Sequence, residues 1–336
     1  MFAVREQEAP TVTMATDQPP TPPMNWAEAQ PLLRPVLRPQ SYVNGLVNTG
    51  AQPWVRPVFP FINEMVVVDL PTVRAVVSPA ETNAWGITGD QAFAVARDNL
   101  SARQQAFAPG EKFLLKDADG GTYVDSMILA AGWLGSLAAT GGHRPLVFFP
   151  GDGVLLLGTD APDDAEDLFE AAEQMYLDAD QPISPQGYTI VGNVIAPFDQ
   201  AGPHPLRGLA LRARTLLATR EYNHQAEFLR EHYERELFPQ YVGEVQMIET
   251  AWGRRTNAVW GQGIPWELPQ TDYVTFVAGD PSNVTDKFTV PFPTVVDAVG
   301  ILPVAGINPV RYRAEEWPAA ELLATLKAHA IAIPGE

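Results

Sequence analysis

Four aspartates, Asp117, Asp119, Asp125 and Asp152, sit beside glycine-rich turns and have the most scope for chemistry in this 336-residue chain. If two hairpin turns bring them together, their carboxylates could exchange protons with a substrate or ligate a hard cation, as a carboxylate- or metal-dependent hydrolase requires. Asp117-Ala-Asp-Gly-Gly is also a turn in its own right, because Asx side chains bond their own backbone. A second acidic place is Asp152 to Asp180, with ten Asp or Glu residues and no Lys or Arg. Asp160, Asp163, Asp164, Glu166 and Asp167 offer hard oxygens, yet they lack the Asp-x-Asp-x-Asp-Gly order and closing glutamate of a calcium loop. Asp163 and Asp164 stand where a helix N-terminus favours anions. The reading is a capped, acidic helix face, suited to a protein partner with a basic face, and no metal site is assigned.

Trp252-Gly-Arg-Arg-Thr-Asn-Ala-Val-Trp-Gly-Gln-Gly-Ile-Pro-Trp266 concentrates three tryptophans and two arginines in fifteen residues. Trp252, Trp260 and Trp266 with Arg254 and Arg255 suit a carbohydrate, a peptide or a carboxylate-bearing partner. Alternation along a strand at Thr256 to Trp260 also allows Trp260 to share the core face with Ala258. Of the histidines His143, His204, His224, His232 and His329, none forms His-x-x-x-His. His224, Glu227, Glu231 and His232 share part of one helix face, as an ion-pair-laced helix also does. Ser136 misses the Gly-x-Ser-x-Gly elbow, Ser126 has no local signature, and the glycines at 141, 142, 151 and 153 form neither phosphate-binding motif. No catalytic residue and no cofactor follow from these letters.

The elements that must position these residues are read from periodicity. Residues 1–25 are expected to form a proline-rich flexible arm, since eleven of the 32 prolines fall in the first 60 residues. A short helix at Trp26 to Leu33 is followed by irregular chain, because Pro31, Pro35 and Pro39 interrupt it. Met65 to Val68 and Arg74 to Val77 read as the first two strands. Thr88 and Gln91 have capping-box spacing ahead of a helix from Gly89 to about Phe107. Lys112 to Lys116 and Thr122 to Ser126 read as a hairpin, with a buried helix after it to Ala139. The pattern repeats as Pro145 to Phe149, Val154 to Leu157 and a helix from about Asp163 to Leu177. Leu206 to Phe238 is the longest helical segment, with a break expected at Asn223 and His224. Extended runs follow at Gly243 to Thr250, Thr256 to Trp260, Tyr273 to Val277 and Pro309 to Arg313, then a helix from Pro318 to Ala330.

Strand, strand, helix units of this kind predict an α+β fold of mixed, largely antiparallel sheets packed with helices. The expected domains are 26–200 and 201–336. With 22 basic against 40 acidic residues, the net charge of -18 disfavours nucleic acid and anionic membranes as partners. The absence of cysteine excludes disulfides and thiolate metal sites. The longest apolar run, Met127 to Ala139, is too short for a bilayer-spanning helix of roughly 20 residues. With no basic-then-apolar leader at the start, the expected location is the cytoplasm.

Several phrases together resemble the YtpQ-like family of bacterial proteins of unknown function. They are Trp85-Gly-Ile-Thr, Ala96-Arg97-Asp98-Asn99-Leu100, Asp125-Ser126-Met127-Ile128-Leu129, Pro150-Gly-Asp-Gly with the acidic helix ending at Tyr176, and Leu268-Pro269-Gln270-Thr271-Asp272. The resemblance covers roughly residues 60 to 280 and implies a cytoplasmic α+β protein with no assigned activity. The first functional expectation is therefore a non-catalytic interaction protein. The alternatives are the hydrolase above and a small-ligand or carbohydrate binder using the tryptophans.

Overall fold

The computed structural model describes residues 3–7, 25–47, 52–103, 107–108, 110–117, 121–138, 142–234, 241–280 and 282–334. The fold is α+β, with mostly antiparallel sheets. The chain divides into two compact units, 1–213 and 214–336, the division falling inside the helix Arg207–Tyr233 rather than at residue 200. Most of the expected proline-rich arm lies outside the described residues, but Ala3–Gln7 is a strand that pairs in parallel with Phe113–Asp117.

In the first unit a six-stranded sheet runs in the order Ala3–Gln7, Phe113–Asp117, Val154–Thr159, Pro145–Gly151, Pro182–Val191, Val194–Pro197. Its face bearing Leu114, Leu146, Phe148 and Leu156 is covered by Ala165, Leu168, Phe169 and Ala172 of the helix Pro162–Asp178. A second sheet joins Leu33–Pro39, Ile62–Asp69, Val55–Phe59 and Arg74–Val76. On it lies the helix Gly89–Ser101, which inserts Ala92, Phe93 and Ala96 against Val66 and Val68. Thr88 and Gln91 form the expected capping box. Gly89 has no side chain to place, since the Trp54 ring lies 2.7 Å from where a Cβ would stand.

Four expectations differ from the structure. Leu33–Pro39 is a strand despite its prolines. The Leu37 N–H points away from Ile62–Asp69 and donates to the Ser126 hydroxyl. By alternation Pro35 and Pro39 also sit where a strand has no N–H to offer its partner, so the ladder loses nothing. Thr122 to Ser126 is not a strand; Val124–Leu129 is a 3-10 helix, and Phe113–Asp117 pairs with Val154–Thr159 instead. The buried helix expected to Ala139 is reduced to Trp133–Ser136, because Gly132 takes a left-handed conformation (φ 72°) that interrupts the run. The long helix, conversely, runs unbroken through Asn223 and His224.

The second unit holds two four-stranded sheets. One has the order Val245–Thr250, Gly253–Gly261, Tyr273–Asp280, Asn283–Pro291; the other has Tyr241–Val242, Trp266–Pro269, Arg311–Ala314, Leu302–Pro303. Trp260, Phe276, Val290 and Leu268 form the core with Phe292 and Val295 of the helix Phe292–Val299 and Leu326 of the helix Ala320–Lys327. Arg311 is fully buried and donates to the Gln225 side chain and to the carbonyls of Gly243, Glu267 and Tyr222. Burial pushes its pKa down to about 10, against the raising effects of Tyr222 and Glu267. Arg311→Ala orphans four buried acceptors and is expected to destabilise this unit by about 3 kcal/mol or more. Chemical denaturation followed by tryptophan fluorescence checks this.

Candidate functional site

Three of the four aspartates, Asp117, Asp125 and Asp152, come together around Gly153. Asp125 sits in the 3-10 helix Val124–Leu129, Asp117 ends the strand Phe113–Asp117, and Asp152 and Gly153 form the turn before Val154–Thr159. The Gly153 N–H donates to Asp125 Oδ2 at 3.2 Å, and the Asp117 N–H donates to the Gly153 carbonyl at 2.8 Å. Gly153 must be glycine, because its φ of +67° is left-handed and a Cβ would lie 3.3 Å from Asp117. Asp119 lies outside the described residues.

Each carboxylate is met by donors of the chain itself. Asp117 Oδ2 accepts the N–H groups of Thr122 and Tyr123, both at 2.9 Å. That double acceptor holds Tyr123 in a left-handed conformation (φ 55°), costly for a bulky residue, and starts the 3-10 helix. Asp152 Oδ1 is paired with Arg38 at 3.0 Å and with Arg74 at 3.5 Å. Ser126 donates to Asp125 and accepts the Leu37 N–H, so strand Leu33–Pro39 is tied to this centre. The Arg74 guanidinium lies over the Tyr123 ring at 4.6 Å, and the Tyr123 hydroxyl donates to Asp69 at 2.7 Å.

Burial pushes the Asp125 carboxyl up to about 6 and the nearby charge of Asp152 adds to this, while Arg38, the Gly153 N–H and Arg74 pull it back. Burial raises the Tyr123 hydroxyl as well, helped by its bond to Asp69. Burial works against the charge of Arg74, but Tyr123, Asp152, Asp125 and Asp117 outweigh it and hold its pKa above the usual arginine value. The arrangement does not suit a cation: two guanidinium groups already flank Asp152, and N–H donors point at Asp125 and Asp117. Among the described residues no group of three or more His, Asp or Glu could hold a metal. Ser126 is fully buried, which leaves its hydroxyl without a path to substrate.

The acidic helix is arranged differently. Pro162 opens it, with Asp163 and Asp164 in the first turn. Asp164 accepts from the Thr159 hydroxyl at 2.9 Å, and Lys112 bridges Asp164 (3.4 Å) and Asp167 (2.7 Å). Burial opposes the Lys112 charge, but the bond to Asp167 and the field of Asp164 hold its pKa above the lysine norm. The hydrogen bond from Lys112 keeps Asp167 below the carboxylate norm. Asp160 is buried and accepts from the backbone and side chain of Arg144. Asp163, Glu166, Asp167, Glu170, Gln174, Leu177 and Asp178 are exposed along the outer side. Beside them a cavity of about 200 Å³ has a floor of Phe169, Leu209 and Ala213 and a rim of Glu170, Glu173, Gln174 and Arg212.

The tryptophan segment does not form one surface, which corrects the binding reading. Trp260 and Trp266 are core residues, Trp260 packing 5.1 Å from Phe276 and Trp266 donating its indole N–H to the Gly261 carbonyl. Strand alternation turns them inward and leaves Trp252 alone exposed (63%), in the turn between two strands. Arg254 pairs with Glu249 at 2.6 Å, and Arg255 donates to the Arg254 carbonyl. Arg34, Arg38, Asp69, Arg74 and Tyr123 were not singled out in the sequence; the first four show there only as charged residues within otherwise apolar strands, and Tyr123 precedes the 3-10 helix. No protein-family model, curated protein or solved structure matches this chain.

Two outcomes follow. Because the folded pKa of Asp125 is raised above its unfolded value, the native state binds this proton more tightly, so acidification from pH 7 towards 4 adds stability through this group. Asp125→Asn is expected to remove that gain; identical pH–stability slopes in the two proteins would contradict the assignment. Trp260→Ala is expected to cost about 3–5 kcal/mol of stability, whereas Trp252→Ala is expected to change it by less than about 0.5 kcal/mol, as thermal melts will show.

Proposed function

We propose that this chain is a non-catalytic interaction protein whose helix Pro162–Asp178 docks a basic face of another protein in the cytoplasm. The observation that carries the reading is the outer side of that helix. Asp163, Glu166, Asp167, Glu170 and Asp178 are all exposed on it, and the helix itself contributes no basic residue. Lys112 compensates Asp164 and Asp167, and Arg212 is engaged by Glu173. A carboxylate row of this kind raises the local concentration of cationic partners and steers their approach. The adjoining cavity has an apolar floor and a rim on which Arg212 takes up Glu173 and leaves Glu170, so it suits an arginine or lysine whose aliphatic stem packs while its charge meets Glu170. The overall charge of -18 argues against nucleic acid as the partner, and among the described residues no helix is long and apolar enough to cross a membrane. Kinship with the YtpQ-like family belongs to the same proposal and rests on the short phrases quoted above.

A second reading, a carboxylate-dependent hydrolase, draws on one observation: Asp125, with a pKa near 6, lies beside Ser126 and the strained Tyr123. Turnover that Asp125→Asn abolishes while the fold persists would favour it over the first.

The test of the first reading is capture of partners from source cells by the intact protein and by Glu166→Lys/Glu170→Lys. The expected result is a stoichiometric basic partner, lost as salt rises and bound at least tenfold more weakly by the double variant. A partner retained equally by both proteins would overturn the assignment to this face.

A further inference from the structure

We propose that the strand Val245–Thr250 is a docking edge for the same strand of a second copy of this chain, in antiparallel register with Met247 opposite Glu249. This surface is separate from the acidic helix and does not depend on its role. Val245–Thr250 is the terminal strand of its sheet and pairs only with Gly253–Gly261 among the described residues. Two observations say which of its backbone groups face outward. The Val245 N–H and carbonyl are both taken by the Asn223 side-chain amide, at 2.8 and 3.1 Å, so Val245 faces away from the neighbouring strand. At the other end Thr250 and Gly253 flank the two-residue turn Ala251-Trp252 and are paired with each other, so Thr250 faces inward. Alternation then turns Met247 and Glu249 outward with Val245, and Gln246 and Ile248 inward with Thr250.

The Asn223 amide thus already supplies one residue's worth of an added strand. The next two outward residues, Met247 and Glu249, have no strand partner among the described residues, and Gln246, Met247 and Glu249 are exposed. The edge has no proline, lysine or bulge, the usual devices that block pairing.

The six residues are self-complementary about a two-fold axis at Ile248. In that register Met247 of one copy and Glu249 of the other exchange both backbone hydrogen bonds, and symmetry repeats the exchange. Ile248 then meets Ile248 of the second copy across the close, non-hydrogen-bonded spacing, giving an apolar pair on the other face. Gln246 faces Thr250, and no like charges stand opposite each other. Glu249 is already compensated by Arg254 at 2.6 Å. With a net charge of -18 on each copy, long-range repulsion opposes the dimer, so association is expected to strengthen with salt, the reverse of the basic-partner interaction.

The test is sedimentation equilibrium of the full chain over rising protein and salt concentrations. The expected result is a mass that moves from 36.6 kDa towards twice that value and does so further in high salt. Met247→Pro deletes only an outward N–H, so it is expected to fold and to weaken dimerisation by about tenfold or more. Ile248→Lys opposes two ammonium groups at the axis and is expected to do the same, should the proline variant fail to fold. A chain that stays at 36.6 kDa throughout, a dimer that neither variant weakens, or a monomer that pairs this edge only with an unrelated extended peptide would each overturn the proposal.

Discussion

The first unit depends on three aspartates that its topology gathers at one turn, Asp125 buried, Asp117 half-buried and Asp152 exposed. Asp117, Asp125 and Asp152 come from a strand end, a 3-10 helix and a turn, and all three gather at Gly153. Bringing carboxylates out of water is costly unless donors offset it, and among the described residues Asp117 Oδ1 is a buried oxygen that finds none. The surrounding chain is bent to provide those donors. Tyr123 adopts a left-handed backbone so that two consecutive N–H groups reach Asp117. Gly153 turns its N–H towards Asp125, and Arg38 and Arg74 reach Asp152 from the second sheet. The result is a clasp between the two sheets of this unit, in which Ser126 acts as the link to strand Leu33–Pro39.

This satisfaction separates scaffold from surface. Inside the clasp Arg38 and Arg74 meet Asp152, backbone N–H groups meet Asp117 and Asp125, and the Ser126 hydroxyl is buried. On helix Pro162–Asp178 the same residue types are laid out on water, where only some are compensated. Uncompensated, solvated charge acts on partners at a distance, while compensated, buried charge acts on the fold. The same division holds in the second unit, where buried Arg311 ties three carbonyls and the strand Val245–Thr250 has a strand partner on one side alone among the described residues.

Much of this was legible in the letters. The capping box at Thr88 and Gln91 and the amphipathic pattern of the acidic helix are local, and local signals survive folding. The gathering of Asp117, Asp125 and Asp152 was legible as a possibility, because each lies beside a turn. Their arginine partners were not, since Arg38 and Arg74 meet Asp152 only through tertiary structure. Pro35 and Pro39 misled because proline forbids only the inward phase of a strand, and phase is set by the partner. The 13-residue apolar run misled because apolar content reports burial and not conformation, while Asp117 and Gly132 decided the backbone. Trp260 and Trp266 could be placed only once strand phase was known.

In the proposed function the acidic helix binds the partner and the aspartate clasp is scaffold. Amide chemical shifts of the full chain, followed during titration with an arginine-rich peptide, distinguish the two surfaces. The expected shifts centre on Asp163, Glu166, Glu170 and Leu177 and fade as salt rises, with Asp125, Ser126 and Gly153 unmoved. Shifts centred instead on Arg74, Asp152 and Gly153, or none along the helix, would contradict it.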